Sequence, residues 1–260
     1  MMSFDPVLRL GYVAALAVAL VLLSSCGSAP QGRILVFAAA SLTDVLQAQA
    51  ELFEKERGVR ADINFGPSNS LAQQIARGAP ADVFISAGVQ PVRELERKGL
   101  TASGATRELL TNDLVLVAPR GAGPVRALDD LRKPGVRLAI ADPDLAPAGL
   151  YAKQALVSLG LWPAVQARLI LGHDVRTTLA YVESGSADAA VVYRTDVQTG
   201  RGVQVIAAFP DDSHDLIVYS AVVVRASSNS ASAAAFLDFL QGTSAREVFQ
   251  RYGFTPAPRK

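Results

Sequence analysis

The chain has 260 residues, with 25 lysines and arginines against 24 aspartates and glutamates, a formal net charge of +1, and 50% apolar residues. Charges of both signs are interspersed, which excludes the basic stripe that nucleic-acid binding requires, and the apolar half suffices for a sizeable core. One cysteine excludes an internal disulfide and a cysteine-based metal cluster.

Asp5 and Arg9 precede an uncharged run of about 14 residues, 10–23. This is a signal-peptide pattern, and the run is short of the roughly 20 residues of a membrane-spanning helix. Leu23-Ser24-Ser25-Cys26 follows and resembles the lipobox of bacterial lipoproteins, which implies cleavage before Cys26 and acylation of that cysteine. The alternative is ordinary signal cleavage that leaves an unmodified thiol. Residues 1–25 are therefore expected to be a lipoprotein signal peptide. Residues 26–33, rich in Gly, Ser, Ala and Pro, are expected to be a flexible tether. The remaining length suits one large domain or two of about 110 residues.

From residue 34 onward, strand-length apolar runs alternate with helical patterns. The spacing predicts a strand at 34–38 and a helix at 42–57, whose face of Leu42, Val45, Leu46, Leu52 and Phe53 ends at Gly58. Strands at 59–65 and 83–86 follow, with helices at 70–77 and 92–98. Further strands are predicted at 114–118, 137–141, 189–192 and 203–207, with helices at 150–159 and 175–183 between them. A long strand at 216–224 and helices at 231–240 and 244–252 close the chain. This order predicts α/β architecture with mostly parallel sheets flanked by helices. No linker divides the middle, so the chain is expected to cross twice between two lobes, near 112–116 and 219–222. The first lobe is then 34–113 plus 220–260, and the second 114–219.

The residues that chemistry would need are sparse. His173 and His214 are the only histidines and lie in no metal-ligand spacing, and no GxSxG elbow, P-loop or GxGxxG is present. Asp82, Asp142, Asp144, Asp174, Asp188 and Asp196 read as caps or turns. Small neutral donors at strand-to-helix junctions are present instead. Ser41 stands where the first strand gives way to a helix, with Asp44 three residues on, as in a capping box. Ser68 occupies the junction 65–72; Ala148 and Gly149 precede the next helix, and Asp174 and Val175 open another. Singly, each is a helix cap. Together, at strand C-termini in two halves of an α/β chain, they point to an anion held by helix N-termini between two lobes.

At these residues the chain resembles the substrate-binding protein of molybdate ABC transporters, a type II periplasmic-binding-protein class, over 34–254. The likeness is carried by Phe37-Ala38-Ala39-Ala40-Ser41-Leu42, Gly78-Ala79-Pro80-Ala81-Asp82-Val83-Phe84-Ile85-Ser86-Ala87, Pro147-Ala148-Gly149-Leu150-Tyr151-Ala152-Lys153, Asp174-Val175-Arg176 and Val191-Val192-Tyr193. Phe209-Pro210-Asp211-Asp212-Ser213-His214 and Arg251-Tyr252-Gly253-Phe254 complete it. The resemblance implies a two-lobed fold and an oxyanion shell of Ser41, Ser68, Ala148, Val175 and Tyr193. The ligand it implies is molybdate or tungstate, with molybdenum bound only as its oxyanion, no direct protein–metal ligand and no cofactor. It also implies a monomer that serves an ABC transporter permease and is not an enzyme, held to a membrane through Cys26 at the periplasmic or cell-surface side. Arg194 beside Tyr193, and Pro67 before Ser68, depart from the pattern. A receptor for sulfate or phosphate, or a secreted enzyme, are the alternatives.

Overall fold

The computed structural model describes residues 32–102 and 106–257. The signal-peptide pattern, Cys26 and residues 27–31 of the tether lie outside the described residues. The first strand already includes Gly32 and Arg33, which the sequence reading gave to the tether.

In chain order the first lobe contributes β1 (Gly32–Ala39), α1 (Thr43–Arg57), β2 (Val59–Gly66), α2 (Ser68–Ala76), β3 (Val83–Ser86), α3 (Val89–Arg97) and β4 (Arg107–Thr111). The second contributes β5 (Leu114–Pro119), β6 (Leu138–Ala141), α4 (Pro147–Ser158), α5 (Trp162–Val165), β7 (Leu169–Gly172), α6 (Val175–Glu183), β8 (Ala189–Tyr193) and β9 (Val203–Ala208). The chain then returns to the first with β10 (Val218–Val223), α7 (Ser230–Leu240), α8 (Thr243–Arg251) and β11 (Thr255–Pro256).

The strand order is β11-β4-β10-β3-β1-β2 in one sheet and β7-β6-β8-β5-β9 in the other. The expected α/β two-lobed architecture is present, but the sheets are mixed rather than mostly parallel. β10 runs antiparallel to β3 and β4, and β5 antiparallel to β8 and β9. A strand that enters a sheet directly from the other lobe needs no crossover helix, so nothing forces it to run parallel. The chain leaves the first sheet at Asn112 and Asp113 and returns over 209–217. Tyr219 and Val222, expected at the second crossing, instead pair inside the first sheet with Leu110 and Phe84.

Burial explains these elements. The central strands are apolar on both faces, as strands covered by helices on two sides must be: Val36, Ala38, Val83, Phe84 and Ile85 are all fully buried. Phe53 of α1 meets Phe236 edge-on at 5.0 Å and Phe239 at 5.3 Å, which ties α7 to α1. Gly58 ends α1 with φ +65°, a left-handed stop that glycine adopts without a Cβ penalty.

Register then fixes where the strands stop. Ala39 of β1 is level with Gly66 of β2, and Ala38 with Ile85 of β3. In the second sheet Ala141 of β6 is level with Gly172 of β7. The loops that follow start from shared lines at the carboxyl edges, where open α/β sheets place their ligand sites. Gly149 permits a close backbone approach, because a Cβ there would sit 2.1 Å from the Ala141 carbonyl oxygen.

Candidate ligand-binding site

A cleft with about 220 Å³ of empty space lies where the two carboxyl edges face each other. Ala39, Ala40, Ser41, Gly66, Pro67, Ser68 and Ala87 line it from the first lobe. From the second come Ala146, Pro147, Ala148, Asp174, Val175 and Tyr193. All five residues singled out by the sequence, Ser41, Ser68, Ala148, Val175 and Tyr193, therefore lie in one place.

Ser41 and Ser68 are each two residues beyond the level pair Ala39 and Gly66, so parallel register delivers both to the same cleft. Ser41 is not the helix cap that the sequence suggested. It sits in a 3₁₀ turn, Ala40–Leu42, and α1 begins after it without a side-chain cap. Its Oγ is 2.9 Å from the Tyr219 hydroxyl, which itself accepts from Asn112 Nδ2 at 3.2 Å. Asn112 is oriented by its Oδ1, which accepts the Asp113 N–H at 3.0 Å. With Asn112 donating to it, the Tyr219 hydroxyl can give its own proton to Ser41 Oγ, an arrangement that leaves the Ser41 O–H for the cleft. Ser68 is arranged in the same sense. Its Oγ accepts the Ala87 N–H at 3.1 Å, so its proton is also free to be given. Both serines are thereby converted into donors.

In the second lobe two of the donors belong to the main chain and one, the Tyr193 hydroxyl, to a side chain. Val175 is the first residue of α6 and Ala148 the second of α4, positions whose N–H groups have no partner within the helix. Asp174 also lines the cleft, but its carboxylate caps α6 by accepting the Thr177 N–H at 2.8 Å. Tyr193 ends β8, and burial raises its hydroxyl pKa well above the ordinary tyrosine value, so it remains a donor. Asp196, completely buried behind it, accepts the Tyr193 N–H at 3.1 Å. Burial raises the Asp196 carboxyl to about 7, against the opposing pull of Arg176.

The two departures from pattern leave the donors in place. Arg194 is half exposed and its Nε donates to Asp113 Oδ2 at 2.8 Å. Pro67 caps α2, where its carbonyl accepts the Leu71 N–H at 3.0 Å and its lack of an N–H costs nothing. The other aspartates act as turns or packing groups: Asp142 accepts the Asp144 N–H, Asp188 pairs with Arg137, and Asp82 accepts the Leu35 N–H. Sequence reading missed Ala87, Asn112, Tyr219 and Thr195, to which Asn112 Nδ2 also donates at 2.8 Å. Ala87 was reachable by the rule already in use, since β3 ends on the same line as its neighbours.

Two mixed α/β sheets joined at a two-residue crossing and a return segment, with donors converging from both carboxyl edges, define a type II periplasmic-binding-protein fold. The solved periplasmic molybdate-binding protein of Azotobacter vinelandii superposes with TM-score 0.77 at 26% identity, covering 87% of this chain and all of that one. Residues 34–255 match the family of bacterial extracellular solute-binding proteins, and the chain belongs to that family. It is 42% identical to molybdate-binding protein ModA of Escherichia coli K12 over 87% of this chain and 90% of that protein. It is 36% identical to the putative ABC transporter substrate-binding lipoprotein YvgL of Bacillus subtilis, over 89% and 90% respectively.

Proposed function

We propose that this chain captures molybdate or tungstate outside the cytoplasm and delivers it to an ABC transporter permease. The observation that carries the reading is a cleft lined from both lobes by uncharged donors: hydroxyl and amide from Ser41 and Ser68, amides from Ala148 and Val175, and the Tyr193 hydroxyl. A buried dianion without partners is strongly disfavoured, whereas each hydrogen bond to a charged group contributes roughly 1.5 to 3 kcal/mol net. Such a set supports micromolar binding or better after the costs of association. Donors fixed by backbone and by supported serines set the radius, and the longer metal–oxygen bonds of molybdate and tungstate fit a wider cage than sulfate. Phosphate carries a proton near neutral pH, and a shell made only of donors leaves that O–H without an acceptor.

The same reading has the anion hold the two lobes closed, with the permease sensing closure. The lobes divide at 113/114 and again within the 209–217 return. The chain acts as a monomer that binds without catalysis, uses no cofactor, and is anchored through acylated Cys26. Titration of protein lacking residues 1–26 with molybdate, tungstate, sulfate and phosphate tests the ligand. Molybdate and tungstate are expected to bind at least tenfold more tightly than the others. Displacement of molybdate by equimolar sulfate or phosphate would falsify the assignment. Cys26→Ser is expected to release the protein from membranes.

A further inference from the structure

Arg176 follows Val175 in the first turn of α6 and does not line the cleft, yet its side chain forms the charged bridge between the two lobes, beside the neutral one in which Asn69 Nδ2 donates to the Asp144 carbonyl at 3.0 Å. Its Nη1 donates to Thr199 Oγ1, and its Nε lies 3.2 Å from Asp196 Oδ1, a charge pair whose N–H is not aimed along the line. Both partners belong to the second lobe, in the turn after β8. The remaining Nη2 reaches the first lobe and donates to Asp44 Oδ2 at 2.5 Å. Asp44 stands in the first turn of α1, three residues beyond Ser41, where the helix dipole favours a carboxylate.

The order of these contacts matters. A guanidinium is a rigid planar fork, and here Nη1 is hydrogen-bonded within its own lobe while Nε faces Asp196 without a hydrogen bond. Thr199 is fixed in turn, its Oγ1 donating to the Asp196 carbonyl at 3.0 Å. The third nitrogen is thus presented to Asp44 with little side-chain entropy left to lose when the lobes meet.

We propose that Arg176 is a positioning residue for ligand capture: a pre-set latch to Asp44 that holds the lobes together over the bound anion and slows its release. The inference rests on the oxyanion reading. It assigns to the cage the choice of ion and to the latch the lifetime of the complex. Because the pair can form only when the rims meet, its stabilisation adds to the closed state alone. Because it lies one residue from a cage amide and three from a cage serine, it fastens the two helix starts that carry the donors.

The test compares full-length mature protein with Arg176→Gln, Arg176→Lys, Asp44→Asn and the Arg176→Gln/Asp44→Asn double variant. Calorimetry gives molybdate affinity, and rapid filtration of radiolabelled molybdate gives the release rate. Each single removal is expected to weaken binding roughly tenfold, nearly all of it through faster release. The double variant should be no worse than either single change, and Arg176→Lys should recover part of the loss. The ratio of molybdate to tungstate affinity should stay as in the wild type, because the cage is untouched. Asp44 is two-fifths exposed, so Asp44→Asn reads the latch even if Arg176→Gln misfolds. If the wild type binds molybdate and Asp44→Asn releases it at the wild-type rate, or if the two effects add in the double variant, the latch is refuted and the oxyanion reading stands. No molybdate uptake by the wild type removes both.

Discussion

The two halves of the cleft reach the same end by different chemistry. The first lobe supplies serine side chains, each with a lone pair already filled by a protein donor: the Tyr219 hydroxyl for Ser41, and the Ala87 amide for Ser68. The second lobe supplies main-chain N–H groups from Ala148 and Val175, donors that do not depend on side-chain type, although both side chains are buried. The serine hydroxyls depend on residue type, as does Tyr193, whereas the helix-start donors of Ala148 and Val175 depend on backbone position. A conservative substitution at Ala148 or Val175 should therefore be nearly neutral, where Ser41→Ala or Ser68→Ala is not.

The sharpest break of that contrast is Val175→Pro. Asp174 before it is already extended, with φ −147° and ψ −179°, as a residue preceding proline must be, and proline is well tolerated at the first helical position. The helix should survive while the amide donor is replaced by a ring carbon, and molybdate affinity measured by calorimetry should fall about 100-fold or more. Val175→Ala keeps the donor and should stay within about twofold. Ser41→Ala and Ser68→Ala come next, each expected to cost about 10- to 100-fold with the far-ultraviolet circular dichroism unchanged. Tyr219→Phe leaves Ser41 in place but removes the proton that fills its lone pair, so a smaller loss of about three- to tenfold is expected.

The support beneath the second half is tested by pH rather than affinity. In the unfolded chain the Asp196 carboxyl ionises near pH 4, while in the fold it holds its proton to about 7. Between those values the folded state binds the extra proton, so this group makes stability fall as pH rises, with no further change above about 7. Denaturant titrations of Asp196→Asn should lack that component. Parallel pH profiles for variant and wild type between pH 4 and 7 would remove Asp196 from the account.

The same contrast explains what could be read from the sequence. Strand ends followed by helix starts are local patterns, so the junctions bearing Ser41, Ser68, Ala148 and Val175 were legible before any fold was known. That they share one cleft follows from parallel register, which the alternation of elements only implied. Tyr219 gave no local sign, because a tyrosine in an apolar strand normally needs no further role, and its contact with Ser41 spans 178 positions. The Arg176 to Asp44 contact spans 132, and nothing in either neighbourhood announces the other. β4 escaped because Arg107-Glu108 breaks its apolar pattern and Arg107 pairs with Asp238 of α7. β7 is a four-residue edge strand with Leu171 half exposed, too short and too open to stand out.

Asn112 occupies the short crossing between sheets and donates at once to Thr195 of the second lobe and to Tyr219 of the first. The crossing is thereby wired, through the Tyr219 hydroxyl, to Ser41 of the proposed cage. Swing and grip cannot drift independently in such a design: any substitution that retunes how far the halves part will also disturb Ser41. Variation that changes one without the other must be sought on the rims, away from the axle.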